Sequence, residues 1–384
     1  MKAKILTPLI TGAALLTAAL MTGSTVFLSF AVLLFLVMLL GLIGVLLASS
    51  TLTVSAALSE ETVRRGDDVM LTITVQHKGL LPIAPVTLKL SGLNDESESL
   101  IRLRDIPGKR QQLVMPYHAA HVGAFSPGVE WAAVEDLFGF WKKTVHPSSL
   151  KEPLLVMPRL MEMEDLEYAP GDPGNESMAQ ATEDITDPAD FRSYQPGDAM
   201  KKIHWKLSLR KGELMVRRFE EPVLSEALLL MDCSQPPNWG WPDAAADTRD
   251  TLLETSASMM QHLMQQDHGA RLPLMGQHPI ELTRDMGEAL VMEHLTRHDF
   301  SEPDQFERVL QMSTGRLRTV GAVVVIAARL NSAMVDIMIR MKRLGPTVRF
   351  YLATFNEEDE RILPMVARLM HGGVEVRFVH PEKA

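Results

Sequence analysis

A single cysteine, Cys233, stands in the whole chain, so no intramolecular disulfide can form and no cysteine-based zinc site can be built. That usage fits a reducing compartment. The twelve histidines are scattered, and no two are expected to face a metal from one helix. Patterns of the GxGxxG, GxxxxGK and G-x-S-x-G kinds are missing, which excludes the common nucleotide and hydrolase fingerprints. An excess of positive charge is missing too. The formal net charge is −10, which argues against bulk electrostatic binding to nucleic acid, where a basic face supplies most of the affinity. No cofactor is expected from these patterns.

What the chain does have is apolar residues, 46% of its 384, concentrated at the N-terminus. Ile5 to Met21 carries no charge, nor does Val26 to Leu47. Each run is near the ~20 residues that a helix needs to cross a bilayer. Only Thr22, Gly23, Ser24 and Thr25 lie between them, so the expectation is a transmembrane helical hairpin within residues 1–50. A cleaved signal peptide is the rival reading, because Lys2 and Lys4 precede the first run. The second run follows at once and leaves no room for a mature domain. Lys2 and Lys4 lie before the first helix, and Arg64 and Arg65 after the second, while the turn has no cation. The positive-inside rule then puts both termini in the cytoplasm of a multi-pass cell-membrane protein.

From residue 51 to 160 the rhythm changes to period two. LTITVQ at Leu71–Gln76, VTLKL at Val86–Leu90 and QQLVMPY at Gln111–Tyr117 alternate, and turn clusters separate them. The expectation is a small all-β, sandwich-like domain. DLFGFW at Asp136–Trp141 reads as core plugs at a domain border. Residues 161–188 are acidic, rich in Gly and Pro and poor in large apolar groups, and read as a mobile loop.

Residues 222–384 alternate strand and helix. ALLLMD (Ala227–Asp232), GAVVVIAA (Gly321–Ala328), VRFYLAT (Val348–Thr354) and VEVRFV (Val374–Val379) read as strands, with helices over Ala244–Gln266, Asn331–Leu344 and Glu357–Met370. This pattern predicts a mostly parallel, Rossmann-like α/β sheet covered on both faces. Ligands of such sheets sit at the carboxyl ends of the strands, where Asp232 falls.

The most distinctive stretch is residues 189–221. It holds Arg192-x-Tyr194-x-Pro196-Gly197-Asp198, Ile203-His204-Trp205-Lys206, Ser208-x-Arg210-x-Gly212 and Leu214-x-Val216-Arg217-x-Phe219-Glu220. Pro196-Gly197 suits a type II turn, and Asp198 is placed to cap a short helix running through Trp205. Arg192 is placed to pair with Asp198 or Glu220. Gly212 fits a tight connection, and the residues after it read as a strand leading into the α/β sheet. Two roles fit. Lys206, Arg210, Arg217, Tyr194 and Trp205 have the composition of a protein-docking surface. Tyr194, Trp205 and Arg217 equally suit an internal brace between domains. His204 reads as a structural hydrogen-bonder. Asp198, Glu213, Glu220 and Glu221 interrupt the cations, so no nucleic acid is expected.

This stretch resembles the signature of the bacterial family called domain of unknown function 58, and the whole layout is similar. The resemblance implies two membrane helices, a small β domain and a final domain like von Willebrand factor A. It also implies protein partners, a MoxR-type AAA+ ATPase and a transglutaminase-like membrane protein, and hence a non-enzymatic membrane scaffold or adaptor. In von Willebrand A domains the first strand ends in a metal-binding Asp-x-Ser-x-Ser. Here Asp232 and Ser234 match and Pro236 does not, and Ala327-Ala328 stands where the later strand would add an Asp. The expectation is a degenerate site with weak or absent metal binding. Two further readings stand beside the scaffold: a hydrolase using Asp232 and His204 as an acid-base pair, and an extracytoplasmic ligand-binding module.

Overall fold

The computed structural model describes residues 2–79, 85–92, 100–103, 110–147, 153–168, 190–194, 203–218, 226–237, 239–275, 279–300 and 306–382. They divide into two compact units, which meet between Arg159 and Leu160.

The first unit opens with α1 (Lys2–Thr22) and α2 (Thr25–Thr51). Gly23 makes the turn between them with φ +65, a conformation open to glycine at little cost. Gly12 lets α1 approach Phe35 of α2, where a Cβ would come to 2.9 Å from the ring. Mean hydropathy is 1.8 for Ile5–Thr22 and 3.1 for Thr25–Thr51, long and apolar enough to cross a membrane. Only 11% and 17% of those windows are buried, so neither helix is the wrapped core of a soluble fold.

Helix α2 runs directly into β1 (Leu52–Leu58), followed by β2 (Thr62–Arg64), β3 (Asp68–His77), β4 (Val86–Ser91) and β5 (Leu100–Leu103). Then come β6 (Arg110–His118), β7 (Gly123–Phe125), β8 (Gly128–Glu135), β9 (Lys142–Val145) and β10 (Leu154–Met157). Antiparallel sheets β1-β3-β6 and β5-β4-β8-β9 form, with a mixed sheet β2-β10-β7 beside them. Alternation decides the core. Val69, Leu71, Ile73 and Val75 point inward from β3, and meet Val86, Leu88 and Leu90 of β4, Ala132 and Val134 of β8 and Val156 of β10. Each fully buried Val or Leu contributes about 1.5–3 kcal/mol relative to exposure.

The second unit carries β11 (Asp190–Ser193), α3 (Trp205–Lys211) and β12 (Met215–Arg218), then β13 (Glu226–Met231), α4 (Ala244–Gln265), β14 (Gly269–Leu274) and β15 (Ile280–Thr283). After a 3-10 turn come α5 (Glu288–Thr296), α6 (Phe306–Ser313), β16 (Ala322–Ala327), α7 (Ser332–Arg343), β17 (Thr347–Ala353), α8 (Leu363–His371) and β18 (Glu375–Val379). The main sheet has the order β15-β14-β13-β16-β17-β18. Its pairs are parallel except β14–β15. Every residue of β16 is buried, as a central strand covered on both faces requires.

The loop expected over 161–188 begins differently. Residues 161–168 are bound along the second unit, and the rest lies outside the described residues. The Met161 amide donates to Ser258 Oγ on α4 at 2.9 Å. Arg349 of β17 donates to the carbonyls of Glu164 and Asp165 at 3.0 Å each, and Arg377 pairs with Glu164 at 2.6 Å. Tyr168 stacks near His268, and burial pushes its phenol up to about 12. Composition predicted mobility because this segment contributes few apolar groups. Arginines on the sheet hold its backbone carbonyls instead.

Candidate functional site

The signature residues split into three groups. Pro196, Gly197 and Asp198 lie outside the described residues. Arg192 and Arg217 stand on a two-stranded ribbon, in which β11 and β12 pair antiparallel with Arg192 opposite Val216 and Phe191 opposite Arg217. The ribbon is separate from the main sheet, so the strand expected to lead into that sheet pairs with its own signature partner. Tyr194 continues the ribbon, its amide donating to Leu214 O at 2.7 Å.

The remaining residues make α3 and its caps. Its N-cap is His204, whose Nδ1 accepts the Leu207 amide at 3.0 Å. His204 N–H in turn donates to Met215 O at 2.8 Å, and Ile203 bridges Val216, so the helix start is tied to β12. Buried Ser208 closes the unit. Its hydroxyl donates to His204 O at 3.0 Å and accepts the Met215 amide at 2.8 Å. Gly212 ends the helix with φ 75, donating its amide to Ser208 O at 2.8 Å. His204 thus caps the helix start through its ring nitrogen.

With the helix fixed this way, its largest apolar groups face solvent. Trp205 is 57% exposed and Leu209, one turn on, 85%. Lys206, Arg210 and Lys211 are exposed beside them. Residues four apart share a helix face, so α3 presents an apolar ridge of Trp205 and Leu209 next to a basic one of Lys206 and Arg210.

A second site lies at the carboxyl end of the main sheet. The connection out of β13 leads to β14 on one side and the connection out of β16 leads to β17 on the other, which makes the gap between β13 and β16 the switch point of the sheet. The Asp232 amide donates to Ile326 O at 2.8 Å, which holds the residue just past β13. Its carboxylate is buried. Oδ1 accepts the Ser234 amide at 3.1 Å and the Ser234 hydroxyl, and Oδ2 accepts Arg329 Nε at 2.9 Å. A buried carboxylate needs a partner charge, and Arg329 supplies it from two residues beyond β16. A divalent ion would have to compete with that guanidinium for Oδ2, using a side-chain donor set of Asp232 and Ser234. The residues present do not fit a resident metal.

Two histidines, His294 and His298, do have the four-residue spacing of a helical metal pair. Helix α5 ends between them at Thr296. Among the described residues no group of three or more His, Cys, Asp or Glu side chains is placed to hold a metal. Cys233 is buried against the same strand end, with its thiol donating to Met231 O at 3.5 Å.

Arg329 and Leu209 were not singled out from the sequence. A cation just after the second of two central strands, opposite an Asp just after the first, is the signal for Arg329. For Leu209 it is the four-residue spacing from Trp205.

Together these features define a chain with two N-terminal helices long and apolar enough to cross a membrane and an α/β unit whose strand-end carboxylate is neutralised internally. The model of the family described as protein of unknown function DUF58 matches residues 190–373, which supports the resemblance carried by the signature. A relative is the uncharacterised protein YeaD of Bacillus subtilis (strain 168), 22% identical over 347 residues, covering 85% of this chain and 82% of that protein. Among solved structures, Spo0M, a sporulation control protein from Bacillus subtilis, aligns with TM-score 0.17 and 16% identity over 38% of this chain and 58% of its own. Cwp6 from Clostridium difficile aligns with TM-score 0.17 and 9% identity over 85% of this chain and 37% of its own. Superpositions this weak carry no argument about fold or function.

Proposed function

We propose that this chain is a membrane-anchored, non-enzymatic adaptor that docks a protein partner through the α3 ridge. The hairpin holds it in the cell membrane with the second unit in the cytoplasm. The partner expected from the family resemblance is a MoxR-type AAA+ ATPase, with a transglutaminase-like membrane protein as a further member of the assembly. The observation that carries the reading is Trp205 and Leu209 exposed one turn apart on a helix fixed at both ends. Rigid, exposed aromatic groups beside Arg and Lys are the composition of interface hot spots, and an acidic partner face would complement Lys206 and Arg210.

The second unit serves as the platform. Its strand order and its Asp232-x-Ser234 motif support a von Willebrand A-like relationship in which Arg329 has taken over the role of the ion. The hydrolase alternative draws less support, because Asp232 is engaged by Arg329 and Ser234, and His204 Nδ1 by the Leu207 amide.

The test is co-purification of the full-length protein, in detergent, with a MoxR-type ATPase from the same cell. Trp205→Ala and Leu209→Ala should each weaken binding by about 2 kcal/mol, roughly thirtyfold, without altering the far-ultraviolet circular dichroism. Folded variants that bind as the wild type does would remove the docking assignment. A reporter fused at Ala384 tests orientation: activity only outside the cytoplasm would favour the extracytoplasmic ligand-binding module.

A further inference from the structure

The stretch Asp136–Trp141, read from sequence as core plugs, is placed quite differently by the structure. It forms the loop between β8 and β9, and its tip points outward. Leu137 is 83% exposed and Phe138 62%. Phe138 and Phe140 stack on each other at 5.6 Å between ring centroids. An exposed Leu-Phe tip on a water-facing loop loses hydrophobic stabilisation, and contiguous exposed apolar groups mark a contact surface.

The loop is built to hold that shape. Buried Asp136 accepts the amides of Trp141 at 2.6 Å and Phe138 at 3.3 Å, while its own amide donates to Trp141 O at 3.1 Å. Gly139 turns the chain at φ +72. The loop is then fastened to the apolar helix α2. Trp141 Nε1–H donates to Met38 O at 2.9 Å. Gly41 explains how it comes so close, since a Cβ there would stand 3.3 Å from Asp136 Oδ2 and 3.4 Å from Trp141 Cδ1.

The position along α2 decides what the tip meets. At ~1.5 Å per residue, the 27 residues of α2 extend about 40 Å, whereas the hydrocarbon layer is about 30 Å thick. Counted from Thr25 at the turn, about 20 residues fill that layer and bring the near boundary to about Gly44. Met38 and Gly41 then lie roughly 5–9 Å inside it, the depth at which interfacial apolar groups bury. Lys142 and Lys143 follow directly on the loop's return, Lys142 paired with Glu135 at 3.2 Å and Lys143 exposed. An apolar tip, a Trp and two lysines in that order form an interfacial anchor.

We propose that Leu137 and Phe138 insert into the bilayer beside α2, so that the β domain is held against the membrane surface as well as tethered to it. The inference rests on the reading of α1 and α2 as membrane spans, and the lipid assignment follows from continuity between the tip and the apolar face of α2. It fixes the height and tilt of the β domain.

The test uses the full-length chain with Cys233 replaced by Ser, reconstituted in vesicles of phosphatidylethanolamine and phosphatidylglycerol. Nitroxide labels are placed singly at Leu137→Cys, Phe138→Cys, Leu36→Cys on α2 and Thr144→Cys on β9. Collision with oxygen and with a water-soluble nickel chelate is measured for each. Labels at 137 and 138 should resemble that at 36, open to oxygen and at least about fivefold less open to nickel than the one at 144. Nickel access at 137 and 138 with lipid access at 36 would overturn the inserted loop and leave the hairpin standing. Nickel access at 36 as well would overturn the hairpin itself. Protection of 137 and 138 from both reagents would mean that a protein covers the tip, which also refutes the proposal.

Discussion

Replacing Arg329 by Met tests the central electrostatic claim, that a side chain and not an ion neutralises Asp232. The pair is close, with Arg329 Nε 2.9 Å from Asp232 Oδ2, and unequal in burial, with side chains 29% and 4% exposed. Breaking a buried pair by removing one partner costs about 3–5 kcal/mol, because the other charge stays buried. Solvent reaches part of Arg329, and Ser234 still donates to Oδ1, so the low end applies, about 3 kcal/mol. That corresponds to roughly a hundredfold rise in the opening constant of the surrounding strands. Hydrogen exchange read by mass spectrometry on the full-length protein, over Glu226–Met231 and Ala322–Ala327, reports this locally. Adding Asp232→Asn to Arg329→Met should recover part of the loss, since the unpaired charge is gone. Magnesium should restore nothing, because among the described residues no group of three or more His, Cys, Asp or Glu side chains is placed to hold a metal. An Arg329→Met protein exchanging as slowly as the wild type, or one rescued by millimolar magnesium, would refute the argument.

Gly212→Ala should lower the stability of the signature segment by about 1 kcal/mol, because its left-handed backbone (φ 75) suits glycine; faster exchange of the Met215 and Val216 amides would show it. Gly41→Val should displace the Asp136–Trp141 loop, since its side chain would overlap Asp136 and Trp141; a change in Trp141 emission, with Trp131, Trp205, Trp239 and Trp241 replaced by Phe, checks it. The buried environment of His298 lowers its proton affinity below the ordinary value of 6.5, against a smaller opposing effect of Asp299. The unfolded chain then binds more protons, so this contribution is intact above about pH 6.5 and lost as pH falls toward the folded value. His298→Gln should flatten that acid limb in thermal melts.

The main sheet was legible because its strands are short apolar runs of fixed period. Thr347–Ala353 and Glu226–Met231 fall within a residue of where the pattern put them. The hairpin was legible from length and lack of charge. Errors came where local hydrogen bonds override periodicity. The last helix was expected from Glu357 but starts at Leu363. Asn356 and Asp359 bond the amides of Glu358 and Arg361 and hold a turn there, and Pro364 at the helix start was the missed signal. The helix in the signature was expected to run through Trp205 from a cap at Asp198, but begins at Trp205 with His204 as its cap.

Exposure was the least legible property, for a reason visible in α3 itself. Its sequence, Trp205-Lys206-Leu207-Ser208-Leu209-Arg210-Lys211, places apolar groups at alternate positions, a strand-like period in a helical segment. The residue that α3 buries is Ser208, chosen for its hydroxyl, which reaches both the helix start and β12. Trp205, three residues from Ser208, lies on a neighbouring strip of the helix, yet it stays 57% exposed and Leu209 85%. A helix made only for packing would bury its largest apolar groups and expose the serine. The inverted arrangement loses burial of a Trp and a Leu, about 1.5–3 kcal/mol for a Leu-sized side chain, which the partner proposed for this ridge would restore.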